Sequence, residues 1–296
     1  MGLVCVIILA QISNHFPEVD LIVPALRKLL LGSIAIGLAA CSGSSESTDP
    51  VIDRVVIQNI KYGQLGRFVI EGRHLDQEFS VSLSKCTGLT VAEGGSASQK
   101  TITCTVNGTG AATIFASFKD QQIYSTNFNV PEPQVLMKTS LGNLLIELNP
   151  TAAPITVRNF LGYINDQFYN NTQFHRIEKG FVAQGGWVDL TPAIKNPTRP
   201  AITLESNNGL SNLKGTIAMA RTNDPNSATS QFYFNLADNA GLDYAQGVRD
   251  GYAVFGKLIQ GIPVLDAIGQ APIANRYGLA TFPATDLIIT EVSQTQ

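Results

Sequence analysis

The chain has 296 residues, 44% of them apolar and 15% charged, which suffices for two domains with ordinary buried cores and excludes a small disulfide-stapled scaffold. Its 20 basic and 23 acidic residues leave a formal charge of -3, no electrostatic footprint for a phosphate backbone, so no nucleic-acid partner is expected. Cysteine (Cys5, Cys41, Cys86, Cys104) and histidine (His15, His74, His175) are scattered without zinc spacing, and no metal site is implied.

In chain order, Arg27 and Lys28 precede the apolar run Leu29 to Ala40. That run is shorter than the roughly 18 residues of a spanning helix and fits the core of an export signal. It closes on Leu38-Ala39-Ala40-Cys41 and opens into Ser42-Gly43-Ser44-Ser45-Glu46-Ser47. This resembles a bacterial lipoprotein signal, in which the cysteine becomes the lipidated amino terminus and the serine-rich stretch a tether. The resemblance implies a leader over 1–40, a tether over 41–50, lipidation of Cys41 and attachment to a membrane through acyl chains. With Ser42 after the cysteine, it implies the outer membrane of a Gram-negative cell, facing the periplasm. Glu18 and Asp20 sit where a positive leader should begin, so translation is expected to start near Val23.

Residues 51–130 alternate short β-rich runs with Gly, Asn and Ser. Strands are predicted over 55–60, 67–71, 79–84, 101–106, 112–117 and 123–130, and their spacing without helical period predicts a β-sandwich. The stretch Phe68-Val69-Ile70-Glu71-Gly72-Arg73-His74-Leu75 resembles a segment of Ig-like (IPT/TIG) domains. Cys86 and Cys104 lie in or beside strands and in an oxidising periplasm are candidates for a disulfide, the alternative being two buried free thiols. Nothing in this segment carries recognisable chemistry, so a spacer or partner-binding role is the default.

Pro131-Glu132-Pro133 stiffens the chain, and residues 131–134 read as a linker to a second domain over 135–296. Val135 to Thr139 and Asn143 to Leu148 form a predicted hairpin. Thr151 is the expected cap of a helix with Pro154 in its first turn, whose Val157, Phe160, Leu161 and Ile164 recur at i, i+3, i+4 and i+7.

Three blocks follow: Phe174-His175-Arg176-Ile177-Glu178-Lys179-Gly180-Phe181-Val182-Ala183-Gln184-Gly185-Gly186, Gly215 to Arg221, and Ser227 to Phe234. With Gly251 to Lys257 they are similar, in order and spacing, to the cyclophilins, peptidyl-prolyl cis-trans isomerases, in their bacterial periplasmic form. The resemblance implies a mainly β fold: an eight-stranded antiparallel barrel with two capping helices, the second near Ile262 to Gly269. It also implies proline-containing polypeptides as substrates.

The chemistry suits these residues independently. Rotation about an X-Pro bond crosses a barrier of about 20 kcal/mol because the twisted amide loses resonance and localises a lone pair on nitrogen. No covalent bond breaks, so the reaction requires no nucleophile, metal or cofactor; it requires a donor aimed at the prolyl nitrogen and an apolar seat for the ring. Arg176, always charged and planar, suits the donor, with Gln184 as its partner. By resemblance, Phe181, Val182, Tyr233 and Leu242 line the proline pocket, His175 and Gln231 flank it, and Ala220, Arg221 and Thr222 bind the residues before proline. His175 is assigned to the catalytic group for packing or substrate hydrogen bonding rather than as a base. Phe232, alternating with Tyr233, is expected in the core. Glu178 reads as a solvated acid, and Trp187 either borders the site or covers the barrel end.

Two positions depart from the family pattern. Tyr233 stands where a phenylalanine is usual, and Gly241 stands where many members carry an aromatic that contacts cyclosporin, so cyclosporin binding is expected to be weak. The leading expectation is an exported isomerase assisting the folding of envelope proteins; the alternative is a catalytically weak peptide-binding or scaffold lipoprotein using the same groove.

Overall fold

The computed structural model describes residues 47–92 and 94–296. The leader, the proposed start near Val23 and Cys41 lie outside the described residues.

The first seven strands are β1 (Val51–Gln58), β2 (Leu65–Arg73), β3 (Ser80–Leu83), β4 (Cys86–Val91), β5 (Gln99–Val106), β6 (Gly110–Phe118) and β7 (Gln121–Val130). They form an antiparallel sheet in the order β1-β2-β5-β4 and a second in the order β3-β6-β7. Alternation along β5 and β6 turns Ile102, Cys104, Ile114 and Ala116 inward, where they meet Phe68 and Ile70 in one core. Strand β4 has no predicted counterpart. It lies at a sheet edge and is largely exposed, so it carries no apolar alternation to read. A disulfide joins Cys86 to Cys104 across 5.7 Å between Cα atoms, fastening this edge strand to β5.

The carboxy-terminal half comprises β8 (Gln134–Thr139), β9 (Gly142–Leu148), α1 (Pro154–Asn165), β10 (Thr172–Gln173), β11 (Arg176–Glu178), β12 (Val182–Gly185), β13 (Val188–Asp189), β14 (Thr216–Met219), β15 (Phe232–Asn235), β16 (Val254–Gln260), α2 (Ile262–Gln270), β17 (Ile273–Arg276), β18 (Leu279–Pro283) and β19 (Ile288–Gln294). One curled sheet runs β11-β12-β15-β14-β16-β9-β8-β19-β10-β13, a half-barrel of ten hydrogen-bonded segments rather than the eight expected. The two-residue β10 and β13 are too short to give an alternating pattern, and β17–β18 form a separate two-stranded sheet whose β18 lies near β11.

Both helices bury an apolar stripe in the same core. Val157, Phe160, Leu161 and Ile164 of α1 join Leu265 and Ile268 of α2 around Phe174, Phe232, Phe234 and Phe255. The expected cap at Thr151 is corrected: the N-cap is Ala153, which makes no side-chain cap bond. Glu205, distant in sequence, supplies the missing acceptors. Its Oε1 accepts from the Ile155 amide (3.0 Å), and its Oε2 accepts from the Thr156 amide (2.8 Å) and hydroxyl (2.7 Å). A carboxylate at the helix amino terminus also complements the positive end of its dipole.

The two halves share buried surface. Tyr62, in the β1–β2 turn, is 3% exposed and belongs to the core of the curled sheet. Its carbonyl accepts from Gln294 Nε2 (3.1 Å), and Gln64 Nε2 donates to Gln294 Oε1 (2.8 Å).

Candidate active site

Register places the chemistry on one face of the sheet. Arg176 pairs with Gln184, Gln184 with Tyr233, Tyr233 with Ala218 and Ala218 with Val254, a row that crosses five strands. Neighbouring residues point the other way: Ile177, Ala183, Phe234 and Ile217 fill the core, as does Phe232. The side chains of this row therefore meet over the outer surface.

There Val182, Ala218, Tyr233 and Val254 form a buried apolar floor rimmed by Phe181, Leu210, Ala220, Leu242 and Tyr252. The resulting cleft has a volume of about 180 Å³ and includes Arg176, Gln184 and Arg221 in its wall. A larger cleft of about 480 Å³ lies along β9, β14 and β16 beside Glu132. Its one cation, Lys257, pairs with Glu147 at 3.5 Å, so the smaller cleft is the one that offers both an apolar seat and an arginine.

Arg176 is held from two sides. Its Nη1 donates to Gln184 Oε1 (3.0 Å), while Nε and Nη2 donate to Glu178 Oε1 at 2.8 and 2.6 Å. Gln184 Nε2 in turn donates to Gln231 Oε1 (2.8 Å), which fixes the amide orientation. Glu178 is thus no detached solvated acid. As an i, i+2 neighbour on β11 it stands on the same face as Arg176, and the two form an ion pair.

The Tyr233 hydroxyl donates to Asn212 Oδ1 (2.7 Å) beneath the pocket floor. Asn212 also donates through its amide and Nδ2 to Asp243 Oδ1 (2.7 and 2.9 Å). Burial raises the Tyr233 phenol well above its ordinary range, so it remains a protonated donor. Leu242 sits in a short 3-10 turn, Ala240–Leu242, and its carbonyl accepts from the Tyr252 amide (2.9 Å).

Other assigned residues occupy different surroundings. His175 is 3% exposed, packs edge-on against Trp187 with centroids 5.2 Å apart, and is absent from the cleft wall. Burial pulls its imidazole from 6.5 down to about 4, so it is neutral near pH 7, and Nδ1 has no hydrogen-bond partner. Trp187 consequently packs beside His175 rather than on the pocket floor. Arg221 Nε and Nη2 donate to the Gly251 carbonyl (3.1 and 2.8 Å), and its guanidinium lies 4.6 Å from the Tyr252 ring centroid. Thr222 is exposed and bound to Ser227 through its amide, outside the cleft wall. The Ala220 amide donates to the Gln231 carbonyl (2.9 Å), tying the two flanking segments together. At Gly241 an added Cβ would meet nothing within 4 Å.

Sequence reasoning missed Tyr252, Leu210 and the Glu178 contact. Tyr252 precedes β16 and Leu210 lies in a long connection, where no periodicity assigns a face. The Glu178 contact, by contrast, was available from strand alternation alone.

Residues 134–294 match the family described as cyclophilin type peptidyl-prolyl cis-trans isomerase/CLD, and the chain belongs to that family. It is 47% identical over 156 residues to peptidyl-prolyl cis-trans isomerase A of Dickeya dadantii, covering 52% of this chain and 80% of that relative. It is 41% identical over 163 residues to peptidyl-prolyl cis-trans isomerase B of Escherichia coli, covering 54% of this chain and 98% of the relative. A solved cyclophilin type isomerase of Cryptosporidium parvum, crystallised in the presence of the dipeptide Ala-Pro, is 25% identical with a TM-score of 0.46, covering 55% of this chain and 99% of that one.

Proposed function

We propose that this protein rotates X-Pro peptide bonds with Arg176 as the donor to the prolyl nitrogen and the Val182–Tyr233–Leu242 pocket as the seat of the proline ring. The carrying observation is the register row that sets Arg176 beside Gln184 and Gln184 beside Tyr233 on one face. A proline ring on the apolar floor brings its nitrogen toward the guanidinium. As the bond twists, the nitrogen lone pair ceases to conjugate and becomes a better acceptor, so Arg176 binds the twisted state more strongly than either planar one. That difference is what lowers a barrier. Phe181 and Tyr252 wall the ring, Gln184 and Gln231 orient the arginine, and the Ala220-Arg221 backbone on the cleft wall receives the preceding residues, Thr222 lying just beyond it. His175 acts as neutral packing.

The test is a protease-coupled assay on an X-Pro peptide comparing wild type with Arg176→Ala. The expected result is a wild type well above the uncatalysed rate and a mutant reduced at least tenfold. A wild type no faster than buffer would sink the isomerase reading, and an equally active mutant would sink the arginine mechanism. The named relatives support the enzyme reading over the scaffold alternative.

The same reading extends to location. The motif ending in Cys41 supports a lipid anchor in the envelope of a Gram-negative cell, and the Cys86–Cys104 pairing accords with an oxidising compartment. The two antiparallel sheets over one core support an Ig-like module between tether and isomerase, with envelope proteins as clients. Mass spectrometry of the mature protein is expected to find acylated Cys41 as its first residue; an unmodified chain retaining residues 1–40 would remove the anchor.

A further inference from the structure

We infer that Glu178 is a positioning residue for Arg176, the second half of a clamp whose first half is Gln184; this rests on the isomerase reading above. A guanidinium has five N–H donors. Three are engaged: Nε and Nη2 on Glu178 Oε1, and Nη1 on Gln184 Oε1. Two remain for substrate.

The two holds differ in kind. Gln184 provides one neutral acceptor and is itself fixed by Gln231 at 2.8 Å. It grips a single nitrogen, about which a long side chain can still swing. Glu178 takes the lateral Nε–Nη2 edge with a charge, both donors converging on Oε1, and together with Gln184 Oε1 on Nη1 this gives two fixed acceptors that set the guanidinium in place, where either alone would let it turn. Strand geometry supplies the carboxylate without cost in chain reach, because residues 176 and 178 stand side by side on β11 while Ile177 is buried behind them. Arg176 and Glu178 side chains are 40% and 38% exposed, so the ion pair itself adds little to fold stability. Its effect is on orientation: a transition state satisfied by one aimed donor is sensitive to misplacement of that donor.

Exchange NMR on an Ala-Pro peptide, which separates kcat from KM, tests this with Glu178→Ile, Glu178→Gln and each combined with Arg176→Ala. Glu178→Ile is expected to lower kcat about tenfold with KM within about twofold. Glu178→Gln, which keeps a neutral acceptor oxygen, should recover part of that loss. On the Arg176→Ala background, Glu178→Ile should have no further effect, and the Arg176 Nε–H resonance should exchange with water faster in Glu178→Ile than in wild type. A Glu178→Ile enzyme with wild-type or higher kcat, or with its loss confined to KM, overturns the inference. So does a full loss on the Arg176→Ala background. An inactive wild type would instead remove the isomerase reading and this inference with it.

Discussion

Removing one oxygen from the pocket floor should separate stability from catalysis. In Tyr233→Phe the ring that seats proline is retained, while the hydroxyl that donates to Asn212 Oδ1 at 2.7 Å is lost. Tyr233 is 4% exposed and Asn212 1%, so water cannot replace the bond without entering the floor. Asn212 Oδ1 is not orphaned, because Asn235 Nδ2 still donates to it at 3.2 Å. The loss is therefore that of one buried neutral hydrogen bond, about 1 kcal/mol, rather than the larger cost of a bare buried acceptor. For a folded unit of this size that corresponds to a fall in Tm of about 2–4 °C. Urea unfolding should show a lower midpoint at unchanged slope, and the X-Pro isomerase rate should stay within about twofold of wild type. An unchanged midpoint would refute the structural role of the Asn212 bond. A large loss of activity in a folded Tyr233→Phe enzyme would show that the hydroxyl serves the substrate and refute the separation.

Three further outcomes are expected. His175 titrates at about 4 when folded against 6.5 in the open chain. The unfolded state therefore binds the extra proton between those values, and stability present above pH 6.5 is lost as pH falls toward 4, by about 3 kcal/mol at most. His175→Asn should flatten this slope in urea unfolding at pH 7.0 and 4.5, and an equal slope in the mutant would refute the assignment. Glu205→Ala should destabilise by about 1–2 kcal/mol through the uncapped first turn of α1, read by thermal melting; an unchanged melt would mean that water serves as well. Wild type should bind cyclosporin weakly, and Gly241→Trp should strengthen inhibition, since open space surrounds an added Cβ there. Nanomolar inhibition of the wild type would reverse that reading.

The parts of the molecule legible in its residue order are those governed by short-range periodicity or by contiguous blocks. The α1 stripe is fully buried where the 3.6-residue repeat places it, and Phe232 and Tyr233 divide between core and pocket by alternation. Contacts closed by the chain returning from afar were not legible. Glu205 caps a helix from a separate loop, Asn212 receives Tyr233 across the floor, and Tyr252 reaches the cleft from a segment without regular structure. Strand β4 escaped for another reason: an exposed edge strand has no buried face to impose a pattern. Glu178 is a third case: the i, i+2 spacing places it beside Arg176, while an exposed acid taken by residue type alone suggests only a solvated surface.

Tyr62 bears on how the protein can be divided. The linker Pro131-Glu132-Pro133 invites cutting the chain there to obtain the isomerase alone, but the tyrosine that completes part of that half's core comes from the β1–β2 turn, upstream of the cut. A fragment beginning at residue 134 would lose this ring and would leave Gln294 without its bonds to Tyr62 and Gln64. The amino-terminal module is in this respect a stopper for the catalytic half, so activity and stability measured on the excised fragment would describe an unstoppered vessel rather than the enzyme in its whole chain.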